Sequence, residues 1–344
     1  MIGRRAKTMD DIARLARVSK PTVSRALSNS PLVTEQTRQH VLEVAAKYGY
    51  VVNRNARKLR QNRAHTIAVV LDFGSHRENR ISDPFIFNLL AGVSEALGER
   101  DQDLLLCSPS HSTIEQLASL TLSGGADGII FLGEGGRRDE LIALAGRPVP
   151  FVVWGAVEDG LSYCAVGSDN FRGGLLAGRH LLERGRSRFL FIGDPQHFEI
   201  SARRQGLVAA LDEYCESHPE DKARLQITDL SMVDFSYATS HEAATRMMKS
   251  PDPIPDAIFA GSDTAAMAVI SALRQAGLAV PADVSVVGYN DIPAAEHFHP
   301  ALSSIRQDVH RAGALLVEKL MLAIEGHRPA SAMLETRLII RDSS

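Results

Sequence analysis

Two patterns of hydrophobic and polar residues divide the chain into a short head and a long body. Up to Tyr50, apolar positions recur three or four residues apart, which is the spacing of short amphipathic helices. From His65 onward, short continuous apolar runs alternate with helical stretches. These patterns predict an all-α N-terminal part followed by a larger α/β part.

The head pattern predicts three short helices. Ser19 followed by Pro21 marks the start of the second helix, and Thr34 marks the start of the third. Val23 and Leu27 lie four residues apart and are expected to be buried. The side chains expected to face outward from the second helix are Lys20, Pro21, Thr22 and Arg25. Such a helix-turn-helix places its second helix in the major groove of DNA, although a bundle that only links chains has the same pattern.

The body pattern predicts parallel sheets covered by helices on both faces, because its apolar runs are continuous rather than alternating. The predicted strands are Ile67–Phe73, Leu104–Cys107, Gly128–Leu132, Phe151–Trp154, Phe189–Gly193, Ala257–Ala260 and Val284–Gly288. This length of chain suits two doubly wound sheets better than one. A ligand would then bind between them, at the carboxyl ends of the strands.

The charge of the chain is divided unevenly between the two parts. Residues 1–64 contain 14 Lys and Arg against 4 Asp and Glu, whereas the remainder contains 24 against 37. A basic head on an acidic body is typical of a protein whose contact with nucleic acid is confined to one domain.

Composition excludes several classes of protein. Hydrophobic residues make up 44% and charged residues 23%, which is typical of globular rather than disordered chains. No apolar run approaches the roughly 18 residues of a membrane helix. The basic N-terminus lacks the apolar segment of a secretory signal. We therefore expect a cytoplasmic protein without a membrane partner.

Motifs for catalysis and for metal binding are weak. The glycines at 133–136 lack the spacing of a dinucleotide-binding loop, and the sequence has no phosphate-binding loop and no nucleophile elbow. Three cysteines without a C-x-x-C pair, and His297 and His299 without a third ligand, give no metal site. We expect no catalytic residue, no metal and no cofactor.

Two motifs make the head more specific: TVSRAL at 22–27, and K-Y-G-Y-x-x-N-x-x-A-R-x-L ending at Leu59. The stretch from Thr8 to Leu59 resembles, without gaps, the DNA-binding head of the lactose/galactose repressor family. The resemblance implies that Lys20, Pro21 and Arg25 meet base edges in the major groove. It also implies phosphate or neighbouring contacts for Thr8, Ser19, Thr22, Ser24 and Ser28.

The segment that follows resembles the hinge helix of the same family, which enters the minor groove. Its implied DNA contacts are Asn53, Ala56, Arg57 and Leu59. Leu59 is an apolar wedge able to unstack a base step and kink the duplex. The alternative is an exposed linker. A helix this short is unstable alone, so it is expected to form only on DNA, beside a second copy.

The resemblance extends to about Arg341 and implies a periplasmic-binding-protein-like core. We expect residues 1–52 to form the helix-turn-helix domain, 53–64 the hinge and linker, and 65–344 an effector-binding and dimerisation core. Within the core, one subdomain is predicted over 65–164 and 293–324, and the other over 165–292 and 325–344. The implied effector contacts are Phe85, Trp154, Ser201, Arg203, Phe235, Ser262, Asn290 and Gln307.

Structural roles compete with several of these assignments. Asp169 and Asp263 are expected to cap helices rather than bind ligand. Trp154 and Phe235 fit the core almost as well as a cleft, and Arg203 fits a salt-bridged helix position nearly as well.

The prediction is a homodimeric DNA-binding repressor of a palindromic operator, controlled by a sugar or glycoside. The alternatives are a purine-responsive regulator, a sugar-binding protein, and an enzyme that modifies sugars or nucleotides.

Overall fold

The structure is a computed structural model that describes residues 8–50, 63–71, 83–107, 113–194, 196–232 and 235–344. Two compact units divide the chain, a head over 1–63 and a body over 64–344. Each unit has a hydrophobic core of its own.

Three helices form the head: α1 (Met9–Ala16), α2 (Lys20–Leu27) and α3 (Glu35–Lys47). Each helix begins at a hydroxyl cap, because the side chains of Thr8, Ser19 and Thr34 accept hydrogen bonds from backbone amides of the first turn. The three predicted helices are thereby confirmed.

The head core contains Ile12, Val23 and Val41, all of which are fully buried. Ala26 is also buried, and Leu27 is half-buried and packs against the same core as Val23. Ala26, three residues after Val23, also faces the core, where its small side chain allows close packing of the neighbouring helices.

The body contains two six-stranded sheets. The first sheet has the order β11-β5-β4-β3-β1-β2 and is parallel throughout. Its strands are β1 (Thr66–Leu71), β2 (Asp103–Cys107), β3 (Gly128–Leu132), β4 (Phe151–Trp154), β5 (Ala165–Ser168) and β11 (Ala332–Leu334). We call each sheet, together with the helices that cover it, a lobe. The helices of the first lobe are α4 (Pro84–Gly98), α5 (Ile114–Leu122), α6 (Arg138–Ala145) and α12 (Val309–Ile324).

The second sheet has the order β12-β10-β9-β8-β6-β7, with β12 antiparallel to β10. Its strands are β6 (Arg188–Gly193), β7 (Gln226–Ser231), β8 (Ala257–Ala260), β9 (Ser285–Asn290), β10 (Ser303–Arg306) and β12 (Arg337–Ile339). The helices of this lobe are α7 (Asn170–Glu183), α8 (Phe198–Ser217), α9 (Tyr237–Met248), α10 (Asp263–Gln275) and the short α11 (Pro293–His297).

All seven predicted strands are present in the two sheets. Every residue of β3, β4 and β8 is buried, as continuous apolar runs in helix-covered sheets require. The predicted doubly wound architecture is thereby confirmed.

The chain passes between the lobes three times, after β5, after β10 and after β11. These crossings correct the predicted subdomain boundaries. β5 and β11 belong to the first sheet, where they pair with each other, and β10 belongs to the second, where it pairs with β9. Strand pairing therefore sets the boundaries. The sequences AVGS of β5 and SSIR of β10 contain too few large apolar residues to show in the hydrophobic pattern, and β11 has only three residues.

Candidate functional site

A cleft of about 150 Å³ lies between the two lobes of the body. It is lined where strands end: Trp154 ends β4, Ser168 ends β5, Asn290 ends β9, and Ser262 follows β8. The carboxyl ends of parallel strands are where open α/β sheets bind ligands, because the loops there diverge. The cleft is thus where the sequence pattern predicted it.

Aromatic side chains cover both sides of the cleft. Phe85, in the first turn of α4, and Trp154 are largely buried, with ring centroids 6.0 Å apart. Phe235 lies on the opposite lobe, just before α9, and is half-buried. All three also pack against the hydrophobic core. Trp154 and Phe235 therefore have both of the roles considered for them, since each packs in the core and lines the cleft.

Arg203 brings a buried positive charge to the second lobe's wall. Its Nε donates to Asn170 Oδ1 at 2.8 Å and its Nη1 donates to the Gly261 carbonyl at 2.6 Å. The guanidinium lies 3.7 Å from the ring centroid of Tyr289. Among the described residues no carboxylate forms an ion pair with Arg203, so the salt-bridged alternative is wrong.

Two amide side chains close the end of the cleft near the lobe crossings. Gln307 Nε2 donates to Asn290 Oδ1 at 2.7 Å, and both residues are buried. Asn290 has a φ of 110°, a backbone conformation that side-chain-bearing residues rarely adopt. Strain of this kind is characteristic of residues held in place at binding sites.

Helix caps account for part of the predicted pattern. Asp169 caps α7 by accepting from Arg172 N at 2.8 Å, as predicted. The cap of α10 is Ser262 rather than Asp263, which corrects that prediction.

Asp263 instead joins the loop before α11 to strand β10 in the second lobe. It is fully buried and accepts hydrogen bonds from Ile292 N at 2.7 Å and from Ser304 Oγ at 2.5 Å. Burial raises the pKa of Asp263 to about 7.

Seven of the eight predicted effector contacts line the cleft: Phe85, Trp154, Arg203, Phe235, Ser262, Asn290 and Gln307. The eighth, Ser201, does not, and its hydroxyl accepts from Gln205 Nε2 at 3.3 Å. On α8 the cleft is lined by Glu199, Ile200 and Arg203, and Ser201 is about 200° of helical turn away from both Glu199 and Arg203. Helical periodicity therefore removes Ser201 from the lining.

The head exposes the predicted base-reading residues together. Lys20, Pro21 and Arg25 are exposed on α2, and Pro21 and Arg25 lie on the side opposite the buried Val23. Lys20 Nζ forms an exposed ion pair with Asp10 Oδ2 at 2.7 Å.

The remaining head residues also have local roles. Thr8 and Ser19 cap α1 and α2, and Ser19 Oγ lies 2.8 Å from Thr22 Oγ1. Ser28 is exposed and its hydroxyl donates to the Arg25 carbonyl at 3.2 Å, while Ser24 is half-buried. Caps place hydroxyl and amide groups at helix N-termini, where phosphates bind well. The hinge residues Asn53, Ala56, Arg57 and Leu59 lie outside the residues that the structure describes.

Comparison with known proteins assigns both parts of the chain. Bacterial regulatory proteins of the lacI family match residues 8–53, and the periplasmic binding protein-like domain matches residues 179–344. The transcriptional regulator CelR of Thermobifida fusca is 34% identical over 354 aligned positions, which cover 99% of both chains. The chain belongs to the LacI family.

Solved structures agree with this assignment. A complex of the transcriptional regulator CelR with cellobiose is 30% identical to this LacI-family protein, with a TM-score of 0.66 over 98% of this chain and 99% of that one. The Lac repressor dimer bound to operator and the anti-inducer ONPF has a TM-score of 0.79 over 99% of both chains. At 22% identity the latter comparison shows the shared fold alone.

Family membership makes the protein a DNA-binding transcriptional regulator. Its relatives are regulators and not enzymes, in agreement with the prediction from the motifs. Within the described ranges, no group of three or more His, Cys, Asp and Glu side chains is arranged to hold a metal ion. No helix in the described part of the chain is long and apolar enough to span a membrane.

Further polar residues line the cleft of this LacI-family protein beside the predicted effector contacts. Glu134 and Ser168 line the first lobe, and Asn170 and His197 line the second. Ser168 and Asn170 flank Asp169 at a strand-to-helix turn, which the sequence places at the cleft. Glu134 lies two residues after the predicted strand Gly128–Leu132, and this position is the local signal for it.

Proposed function

We propose that this LacI-family protein is a sequence-specific repressor that binds a palindromic operator as a homodimer. A small ligand in the cleft, a sugar or glycoside, controls its affinity for DNA. It would act in the cytoplasm, where its operator DNA lies. The observation that carries this proposal is a basic head with an exposed reading helix, joined to a body with a polar and aromatic cleft.

The head supports DNA reading by its chemistry. Lys20 and Arg25 are both exposed on α2, and each can donate to guanine O6 and N7 in the major groove. The caps at Thr8 and Ser19 would orient the head on the backbone. Asn53, Ala56, Arg57 and Leu59 are proposed for the minor groove, where Leu59 would kink the duplex.

The cleft supports a hydroxylated ligand. Phe85, Trp154 and Phe235 offer flat apolar faces for sugar C–H groups, and Arg203, Asn290 and Gln307 offer donors and acceptors for hydroxyls. Ser262 lines the same wall and is also a helix cap. The solved CelR structure that is 30% identical to this chain is a complex with cellobiose, a disaccharide. This combination favours a sugar over a purine.

A homodimer follows from the size of the DNA-binding unit. One helix-turn-helix reads one half-site, and a palindromic operator presents two half-sites related by a twofold axis. The body also carries an exposed apolar edge strand: Leu105 and Leu106 on β2 are 38% and 48% exposed, and Phe87 on α4 is 42% exposed. Such an edge is usually covered in the functional assembly.

Control by ligand requires differential affinity for two conformations. A ligand that binds the DNA-free conformation about a hundredfold better than the DNA-bound one would give a coupling free energy of about 2.7 kcal/mol between the cleft and the DNA-binding head. The lobe crossings after β5, β10 and β11 are where the angle between the lobes would change. This coupling is enough to switch operator occupancy.

The test is a DNA-binding titration of the full chain. Fluorescence anisotropy with its own promoter fragment should show sequence-selective, salt-sensitive binding, which a carbohydrate weakens or strengthens. Arg25→Ala should lose discrimination between operator and scrambled DNA, whereas Arg172→Ala, in the body, should not. Binding that ignores sequence, or that no carbohydrate alters, would refute the proposal.

A further inference from the structure

Three neighbouring strands of the first lobe bring an acid and a hydroxyl to the same wall of the cleft. Glu134 follows β3, Gly155 follows β4 and Ser168 ends β5, and these strands are adjacent in the sheet. All three residues line the cleft. Their position is fixed by strand pairing rather than by a mobile loop.

Glu134 is held tightly in this wall. Only 4% of it is exposed, and Tyr163 Oη donates to Glu134 Oε1 at 2.6 Å. The side chain lies over Gly155, where a Cβ atom would come within 2.8 Å of Glu134 Cγ. A larger residue at 155 would therefore displace the carboxylate.

The carboxylate of Glu134 is poorly compensated. In the described part of the chain no lysine or arginine forms an ion pair with it, since the nearby Arg138 is paired with Glu158. Burial, followed by the negative charge of Glu199, raises the pKa of Glu134. A buried carboxylate with a single donor is costly, and a ligand hydroxyl would supply a further one.

Ser168 provides an independent sign of a missing partner. It is 5% exposed, and its Oγ is buried without a hydrogen-bond partner among the described residues. Buried hydroxyls are nearly always satisfied, so an orphan hydroxyl in a cleft points to a ligand group.

We infer that Glu134 and Ser168 form a hydroxyl-binding subsite that selects uncharged sugars and excludes their acids. Glu134 accepts from one ligand hydroxyl and Ser168 bonds to its neighbour. A uronate or aldonate carboxylate at this wall would face Glu134 and Glu199, and the nearby Arg138 is already paired with Glu158. Like charges in a desolvated site are strongly unfavourable. The inference rests on the proposed sugar-responsive function and narrows its ligand class.

Arg203 supplies the competing expectation, because a lone buried guanidinium attracts anions. Its Nε and Nη1 are already committed to Asn170 and Gly261, and it stacks on Tyr289. We expect it to bind a hydroxyl or ring oxygen with its remaining donors. An acid that binds well through Arg203 would contradict the exclusion.

The test uses the full chain and matched pairs of neutral and acidic sugars at neutral pH. Glucose with glucuronate, galactose with galacturonate, and cellobiose with cellobionate are screened by thermal shift, and hits are measured by calorimetry. We expect a neutral member to bind at least about tenfold more tightly than its acid. Glu134→Gln keeps the acceptor for Tyr163 but removes the charge, so the affinities for the neutral sugar and for its acid should then differ by no more than about threefold. The matched control, Glu140→Gln on the exposed face of α6, should leave the ratio unchanged.

Ser168→Ala distinguishes the role of Ser168 from that of Glu134. This variant should bind the neutral sugar about threefold to tenfold more weakly, because it loses a hydrogen bond. The ratio of the affinities for the neutral sugar and its acid should not change, because no charge is removed. Tighter binding of an acid, or an unchanged ratio in Glu134→Gln, would overturn the inference and leave the sugar-responsive function intact. No binding by any sugar or acid, with operator binding preserved, would overturn both.

Discussion

Replacing Gly174 with alanine tests the close packing that positions the second lobe's side of the cleft. Gly174 lies in α7, where a Cβ atom would come within 1.9 Å of the Arg203 carbonyl oxygen and 3.0 Å of Leu207 N in α8. The approach is reciprocal, because a Cβ on Gly206 would lie 1.9 Å from the Phe171 carbonyl oxygen. These are backbone atoms, so no side-chain rotation relieves the collision.

Two opposing effects set the change in the free energy of unfolding that Gly174→Ala causes. Glycine to alanine inside a helix contributes about 1 kcal/mol of stability through helix propensity. The collision requires α7 and α8 to separate by more than about 1 Å, and overpacking of this kind costs about 3 kcal/mol or more when backbone must move. We therefore expect the free energy of unfolding to fall by about 2 kcal/mol. This lowers Tm by roughly 3 °C, because an unfolding entropy of about 2.1 cal/mol/K per residue is large in a protein of this size.

The assay is thermal unfolding followed by circular dichroism, with Gly98→Ala as the matched control. Gly98 ends α4 and has no atom within 4 Å of its would-be Cβ, so alanine there should leave Tm unchanged or slightly raised. Arg203 provides both the colliding carbonyl and a cleft guanidinium, so Gly174→Ala should also weaken ligand binding. A Tm for Gly174→Ala equal to that of the wild type or of the control would refute the packing argument.

Three further predictions concern charge and DNA. Because the pKa of Asp263 is about 7 in the fold and 3.8 in the unfolded chain, the native state keeps a proton that the unfolded state loses. The free energy of unfolding, measured in urea, should thus fall by about 2 to 3 kcal/mol between about pH 5 and about pH 8. Asp263→Asn should reduce this dependence on pH, and an unchanged dependence would contradict the raised pKa of Asp263. Asp10→Asn frees Lys20 and should raise DNA affinity up to about fivefold in low-salt anisotropy titrations, with less effect in high salt; weaker binding would exclude competition by Asp10. Leu59→Ala should weaken operator binding and leave sugar affinity unchanged in calorimetry, and equal operator affinity would remove the proposed wedge.

Hydrophobic pattern and cap residues were sufficient where a signal is local. The second and third head helices follow from Ser19 and Thr34, each a hydroxyl next to the first turn it caps. Strands such as β3 and β8 are fully buried and therefore continuously apolar.

Strands with weaker patterns escaped the sequence analysis. β7 has the exposed, polar sequence QITDLS at a sheet edge, and β11 and β12 are three residues each. Their existence depends on pairing with a neighbour, which a local pattern does not contain. The lobe boundaries were misplaced for the same reason.

The sequence alone determined that this protein has a basic helix-turn-helix head and a doubly wound α/β body, because periodicity, caps and charge are local properties. Only the tertiary structure decided which side chains meet. Ser201 is outside the cleft because of the rotation of α8, and Asp263 bonds to Ile292 and Ser304 rather than capping a helix. The tertiary structure also brought Glu134 and Ser168, 34 residues apart in the chain, to one wall by placing β3, β4 and β5 side by side. Contacts between distant segments depend on strand order and helix rotation, and those are fixed only when the whole core packs.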